Sequence, residues 1–253
     1  MKRDRLFLST VAADAAETAR AHGFGIEIAE YCWAVNMDAE RFPATDRVVR
    51  ETLSGIGHCT LHAPFNELFP SAIEPRVLAV TRSRFEEAAA LARSYGAERL
   101  VLHSGFYPTI YYPAWYEEQT VSFFRAFLAD QPQDAVFCLE NVLETDPALL
   151  PRVVRTVDDT RLRLCLDIGH AHCYSPAPWE AWLEESAGLI AHFHLHNNFG
   201  ERDEHLPLDR GSLDMEAFLR RADALFPNAS YTIENELAAH SAAWLEEKGL
   251  IEA

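Results

Sequence analysis

At 253 residues and 49% hydrophobic content the chain can build one sizeable core, and its length sits near the roughly 250 residues of a (β/α)8 barrel. The 22 basic against 39 acidic residues give a formal net charge of −17, a surface that repels phosphate backbones and argues against DNA or RNA as a partner. No run approaches the ~18–20 apolar residues of a membrane span. The opening MKRDRLFLSTVAADAAE turns acidic too early for a secretory signal. Five cysteines without CxxC spacing (Cys32, Cys59, Cys138, Cys165, Cys173) suit a reducing compartment, so a cytoplasmic protein is expected.

Strand-like and helix-like patterns alternate along the chain. The predicted strands cover residues 6–10, 25–29, 58–62, 99–103, 135–140, 163–167, 190–195 and 230–234. The clearest helix covers 77–95, where Val77, Val80, Phe85, Ala88, Leu91 and Ala92 share a face. After the fourth strand comes an aromatic loop holding Phe106, Tyr107, Tyr111, Tyr112, Trp115 and Tyr116, suited to walling a ligand pocket or a subunit contact. Helices are then expected over 115–130, 147–156, 179–185, 215–225 and 241–248. Asp146-Pro147 and Ser175-Pro176 serve as entry signals for two of them. Eight β/α units without a linker predict a single domain over residues 1–253, a closed parallel (β/α)8 TIM barrel. An open doubly wound sheet is the competitor. No glycine-rich phosphate turn follows its first strand, and it would scatter the strand ends described next.

Six of the eight strands close on a residue that binds divalent metals: His62, His103, Glu140, Asp167, His194 and Glu234. In a parallel barrel these ends meet at one mouth. Carboxylates that close repel one another unless a cation lies between them. Glu140, Asp167, His194 and Glu234 are thus expected around one ion, with His62 and His103 sharing Glu140 with a second. His170, two residues beyond Asp167, and the loop pair Asp203 and His205 in DEHLPL are expected to hold a third. Five of the 11 histidines occupy these positions, which makes coincidence a poor explanation. His22, His58, His172, His192, His196 and His240 read as structural or surface residues, with His172 and His196 flanking the cluster. Cys59, Cys138 and Cys165 read as small core residues. Glu27 and Glu30 end the second strand, where the commoner outcome is a surface carboxylate and the rarer one a substrate contact.

The segments LHAPF, HSG, LENV, DIGHAH, HFHLHNN, DEHLPL and IENE resemble the endonuclease IV and xylose-isomerase-like superfamily of barrels over nearly the whole chain. In the endonuclease branch the resemblance implies a trinuclear zinc site on the nine residues His62, His103, Glu140, Asp167, His170, His194, Asp203, His205 and Glu234. In the sugar isomerase and epimerase branch it implies one manganese-type ion on Glu140, Asp167, His194 and Glu234, with Glu140 and Glu234 as the catalytic proton-transfer groups. The chain departs from relatives at LPLDRGSLD, where Asp209 and Arg210 alter the loop, and in the placement of Arg202.

Three functions follow. The complete nine-residue set puts first a zinc-type phosphoester hydrolase acting on a small phosphorylated molecule, with Arg202 or Arg210 steadying the phosphate. A manganese-type sugar or sugar-phosphate isomerase or epimerase stands second. A barrel that binds sugar or metal without turnover stands last. Tyr107 is an expected substrate contact, and the aromatic loop and the short seventh helix are candidate subunit contacts.

Overall fold

The computed structural model describes residues 1–252. Eight parallel strands close into a barrel in sequential order: β1 Leu6–Ser9, β2 Gly25–Ile28, β3 Cys59–His62, β4 Leu100–His103, β5 Phe137–Glu140, β6 Leu162–Asp167, β7 Ile190–Leu195 and β8 Ser230–Ile233. The helices are α1 Ala15–His22, α2 Phe42–Leu53, α3 Pro75–Tyr95, α4 Pro113–Ala129, α5 Leu149–Val157, α6 Ile168–Tyr174, α7 Trp179–Glu185, α8 Met215–Leu225 and α9 Ala238–Glu247. The closed barrel matches the expectation, and each predicted strand is present within one or two residues of its ends. Among the described residues no helix is long and apolar enough to cross a membrane.

Strand alternation sorts the side chains into two layers. Leu6 and Leu8, Ile26 and Ile28, Leu100 and Leu102, Phe137 and Leu139, Phe193 and Leu195, and Tyr231 and Ile233 belong to the large core shared with the helices. The intervening set lies inside the barrel. There Val101, Cys138 and Cys165 form a small separate apolar cluster, as expected of buried cysteines. Above and beside it the interior is polar: Ser9, Glu27, Thr60, His62, Glu140, Asp167, His192, His194 and Thr232 are all buried. A barrel interior is normally filled with branched apolar residues. The polar substitution here marks the layer that carries chemistry.

Register places this layer at the carboxyl ends of the strands. His103 pairs with Glu140 across β4 and β5, and Asp167 pairs with His194 across β6 and β7. Between β6 and α6 there is no connecting loop. Asp167 ends the strand and caps the helix, its carboxylate accepting from the His170 backbone N–H at 2.7 Å. The cap swings His170 back over the mouth.

Candidate metal centre

Glu140 is the pivot of the cluster. Fully buried at the end of β5, its Oε2 lies 3.1 Å from His62 Nε2 and 3.4 Å from His103 Nε2, while Oε1 lies 3.2 Å from His194 Nδ1. Glu234, directly after β8, reaches the same His194 Nδ1 at 3.2 Å, and Asp167 Oδ2 lies 3.9 Å from it. Glu140, Asp167, His194 and Glu234 each offer one ligand atom within 4.8 Å of the others. His62, His103 and Glu140 form a second such group. The third contains His170, Asp203 and His205, as expected, and adds His196.

These side chains are held in ligand-like orientations. His62 sets Nδ1 at 2.8 Å from the Ala63 carbonyl, His170 at 2.9 Å from that of Asn141, and His205 at 2.9 Å from that of Glu234. Each carbonyl accepts an N–H from Nδ1 and so leaves the Nε2 lone pair facing the cluster, the outer-shell arrangement of metal-ligating histidines. Asn141 also clamps the Asp167 backbone, donating to its carbonyl and accepting from its N–H, both at 2.9 Å. His205 takes a left-handed φ of 46°, uncommon for a non-glycine residue. Asp167 Oδ2, Asp203 Oδ1 and both ring nitrogens of His196 are buried without a hydrogen-bond partner. Buried polar atoms are normally satisfied, so orphans gathered at one mouth fit a divalent cation.

The electrostatics point the same way. Burial pushes Glu140 up, but His194 and His103 outweigh it and hold the carboxyl well below the usual range. Burial disfavours the imidazolium of His194, yet the Cys165 sulfur and the carboxylates of Glu27, Glu140 and Glu234 raise it well above its ordinary value. His170 is raised to about 10 against burial by Asp167, Asp203 and Glu140, and His205 to about 9 by Asp203 and Glu234. Without an ion, imidazolium groups thus supply the positive charge the carboxylates require. His103 is the exception: burial takes it down to about 3, and it stacks on Phe65 at 4.2 Å as a neutral ring.

All nine expected ligand residues therefore come together. His196, read from sequence as structural, joins them: it stacks on His205 at 3.8 Å and sets Nε2 3.1 Å from Asp167 Oδ1. Gly169 makes this placement feasible, because a Cβ there would lie 2.0 Å from the His196 ring. Glu27 is neither a surface carboxylate nor a substrate contact at the rim, since it is 0% exposed inside the barrel. His192 is likewise interior, whereas His172 sits away from the cluster with Nε2 on Ser212 at 2.8 Å. Of the expected substrate contacts, Tyr107 is 43% exposed in the loop after β4, and Arg202 and Arg210 are exposed in the loop between β7 and α8. Exposed Trp33 and Phe199 lie in other loops on the same side of the barrel.

A family model described as a xylose isomerase-like TIM barrel matches residues 16–248. The chain belongs to that family. An uncharacterized protein of Methanocaldococcus jannaschii, MJ1311, is 27% identical over 186 residues, 70% of this chain and 64% of that protein, so the match spans less than two thirds of the relative. A D-tagatose 3-epimerase-like protein superposes with a TM-score of 0.79 at 23% identity, covering 96% of both chains. The TTHB071 protein of Thermus thermophilus, soaked with zinc chloride, gives 0.74 at 24% identity over 96% of this chain and 97% of that one. A D-allulose 3-epimerase from Methylomonas sp. in complex with D-allulose gives 0.71 at 14% identity over 98% of each.

Proposed function

We propose that the protein is a divalent-metal-dependent isomerase or epimerase of a small ketose-type sugar. The observation that carries this reading is the convergence of Glu140 and Glu234, from β5 and the end of β8, on His194 Nδ1 at 3.2 Å each, beside Asp167. A zinc- or manganese-type ion held by Glu140, Asp167, His194 and Glu234 would polarise the carbonyl and a neighbouring hydroxyl of a sugar, making the intervening C–H more acidic. The two glutamates then divide the proton work. One carboxylate takes the proton from the carbon beside the carbonyl, and the C–H electron pair moves onto the carbonyl. The other glutamate, entering the step as the carboxylic acid, gives its proton to carbon as the pair moves back. Return to the opposite face of the same carbon epimerises it; return to the former carbonyl carbon, with the neighbouring hydroxyl's proton passing to the former carbonyl oxygen, isomerises the sugar. Tyr107, Phe65 and Trp33 supply apolar walls suited to the C–H faces of a sugar ring or chain.

The epimerase descriptions of two structural neighbours support this chemistry over phosphoester hydrolysis, which the sequence pattern alone puts first. The deciding experiment incubates the metal-loaded protein with D-tagatose or D-allulose in D2O and follows the carbon-bound hydrogens by NMR. Exchange of the hydrogen beside the carbonyl, lost in Glu140→Gln and Glu234→Gln, is expected. No exchange with any ketose in a broad panel refutes the reading.

One observation favours a second reading, a multinuclear phosphoester hydrolase. The groups His62, His103, Glu140 and His170, His196, Asp203, His205 lie beside the first set, and a single-ion isomerase does not need them. Metal stoichiometry separates the two: about one ion per chain supports isomerisation and about three support hydrolysis, following the roles ions play in each.

A further inference from the structure

One layer below the mouth, Glu27 sits at the centre of the barrel, drawn from β2 and 0% exposed. Its Oε2 accepts from Thr60 Oγ1 at 3.0 Å on β3 and from Thr232 Oγ1 at 2.9 Å on β8. His192 Nε2 on β7 approaches the same oxygen at 3.1 Å, while its Nδ1 lies 2.6 Å from Ser230 Oγ. With Nδ1 facing the Ser230 hydroxyl, the ring is placed to donate from Nε2 to Glu27. Three donors from three strands thus fix one oxygen of the carboxylate. The other, Oε1, lies 3.0 Å from Nε2 of His194. Neither of those two atoms has a hydrogen bond elsewhere, and their contact is a charge pair whose alignment falls short of one. The opposite ring nitrogen, Nδ1, is the atom that faces Glu140 and Glu234.

We propose that Glu27 is a positioning residue for the metal centre: it holds the His194 proton on Nε2 and so keeps the Nδ1 lone pair aimed at the Glu140, Asp167 and Glu234 carboxylates. The inference rests on the reading of those four side chains as ligands of a divalent ion. A neutral imidazole carries one N–H and one lone pair, and the group facing one nitrogen decides which form the other takes. A buried carboxylate can only accept, so the nitrogen beside it keeps the proton. Glu27 itself touches neither ion nor substrate. Its negative charge also strengthens the donor character of His194, as outer-shell carboxylates do for metal-bound histidines. Thr60, Thr232 and His192 in turn hold Glu27, which explains why the barrel interior carries polar groups where apolar packing is the rule.

The full chain, stripped with chelator and titrated with zinc or manganese by calorimetry, provides the test. Glu27→Gln keeps the side-chain shape but removes the obligate acceptor, and is expected to weaken ion binding about 10–100-fold. A role confined to packing would change the melting temperature of the metal-free protein and leave the affinity alone. Nitrogen-15 NMR of histidine-labelled, zinc-loaded wild type gives a measurement that requires no variant to fold: His194 is expected to carry its proton on Nε2 and zinc on Nδ1. Equal affinity in wild type and Glu27→Gln overturns the proposal, as does zinc on Nε2 of His194. A wild type that binds neither ion removes the ligand set itself and the inference with it, a result distinguishable from loss in the variant alone.

Discussion

Removal of bound metal should destabilise the fold by an amount that can be worked out beforehand. Glu140, Asp167, His194 and Glu234 come from four separate strand ends and are buried. The unfolded chain therefore holds no equivalent site, and the full binding free energy appears as folding stability. Metal at about 1,000 times its dissociation constant contributes about 4 kcal/mol. A domain of this size gains roughly 2–4 °C per kcal/mol, so a rise of roughly 8–16 °C over the chelated protein is expected. The proton balance fixes how this varies with pH. His170 at about 10 and His205 at about 9 are protonated in the metal-free protein near neutrality, and His194 is raised in the same direction. Ions compete with those protons, so the rise should grow between pH 6 and pH 8. Scanning fluorimetry with EDTA, zinc and manganese at both pH values measures it, with Asp167→Ala as the control. A rise below about 2 °C, far under the expected range, or one equally large in Asp167→Ala refutes the reasoning.

Further outcomes follow from particular side chains. Glu140→Gln and Glu234→Gln should each lower ketose turnover by about 10²–10⁴-fold, the usual contribution of a positioned acid or base, as read by steady-state assay. Under the isomerase reading Asp203→Ala and His205→Ala keep one ion per chain and leave ketose exchange in place, whereas under the hydrolase reading both lower metal content and lose phosphodiesterase activity. Gly169→Ala forces a Cβ into the His196 ring and should cost roughly 1–3 kcal/mol, measured by urea unfolding. Burial raises buried Glu144 to about 7. The folded state then holds a proton that the unfolded state releases above about 4.5, so this group makes stability fall as pH rises from about 4.5 to about 7. Glu144→Gln should flatten that fall, by at most about 3 kcal/mol, in urea unfolding at pH 5 and pH 8.

Much of this is legible in the chain because a parallel barrel turns strand ends into neighbours. Each strand is buried on both faces and reads as a short apolar run, and the last inward-facing residue at or just beyond its end lies at the mouth. That rule alone gathers His62, His103, Glu140, Asp167, His194 and Glu234. The less visible residues lie where it stops applying. Glu27 looks peripheral at the end of a strand, yet in GIEI it stands between Ile26 and Ile28, and alternation puts it on the face opposite the helix-packed pair. His192 carries the same signal two residues before His194. His196 lies beyond the end of β7, where alternation no longer fixes direction, and its place depends on the missing side chain of Gly169. Helices α1, α2 and α6 are not among the predicted elements. α6 follows β6 without any loop residue to announce it, and α1 is a short, mixed AAETARAH segment. Residue types do not separate isomerase from hydrolase, because both draw on the same ligands.

Anomalous diffraction from crystals of zinc- or manganese-loaded protein tests the metal centre most directly. The strongest peak should fall between Glu140, Asp167, His194 and Glu234, about 2.0–2.2 Å from each ligand atom for zinc, with His194 bound through Nδ1. Loaded crystals with no peak among these four side chains, or with peaks only at other sites, would contradict the assignment.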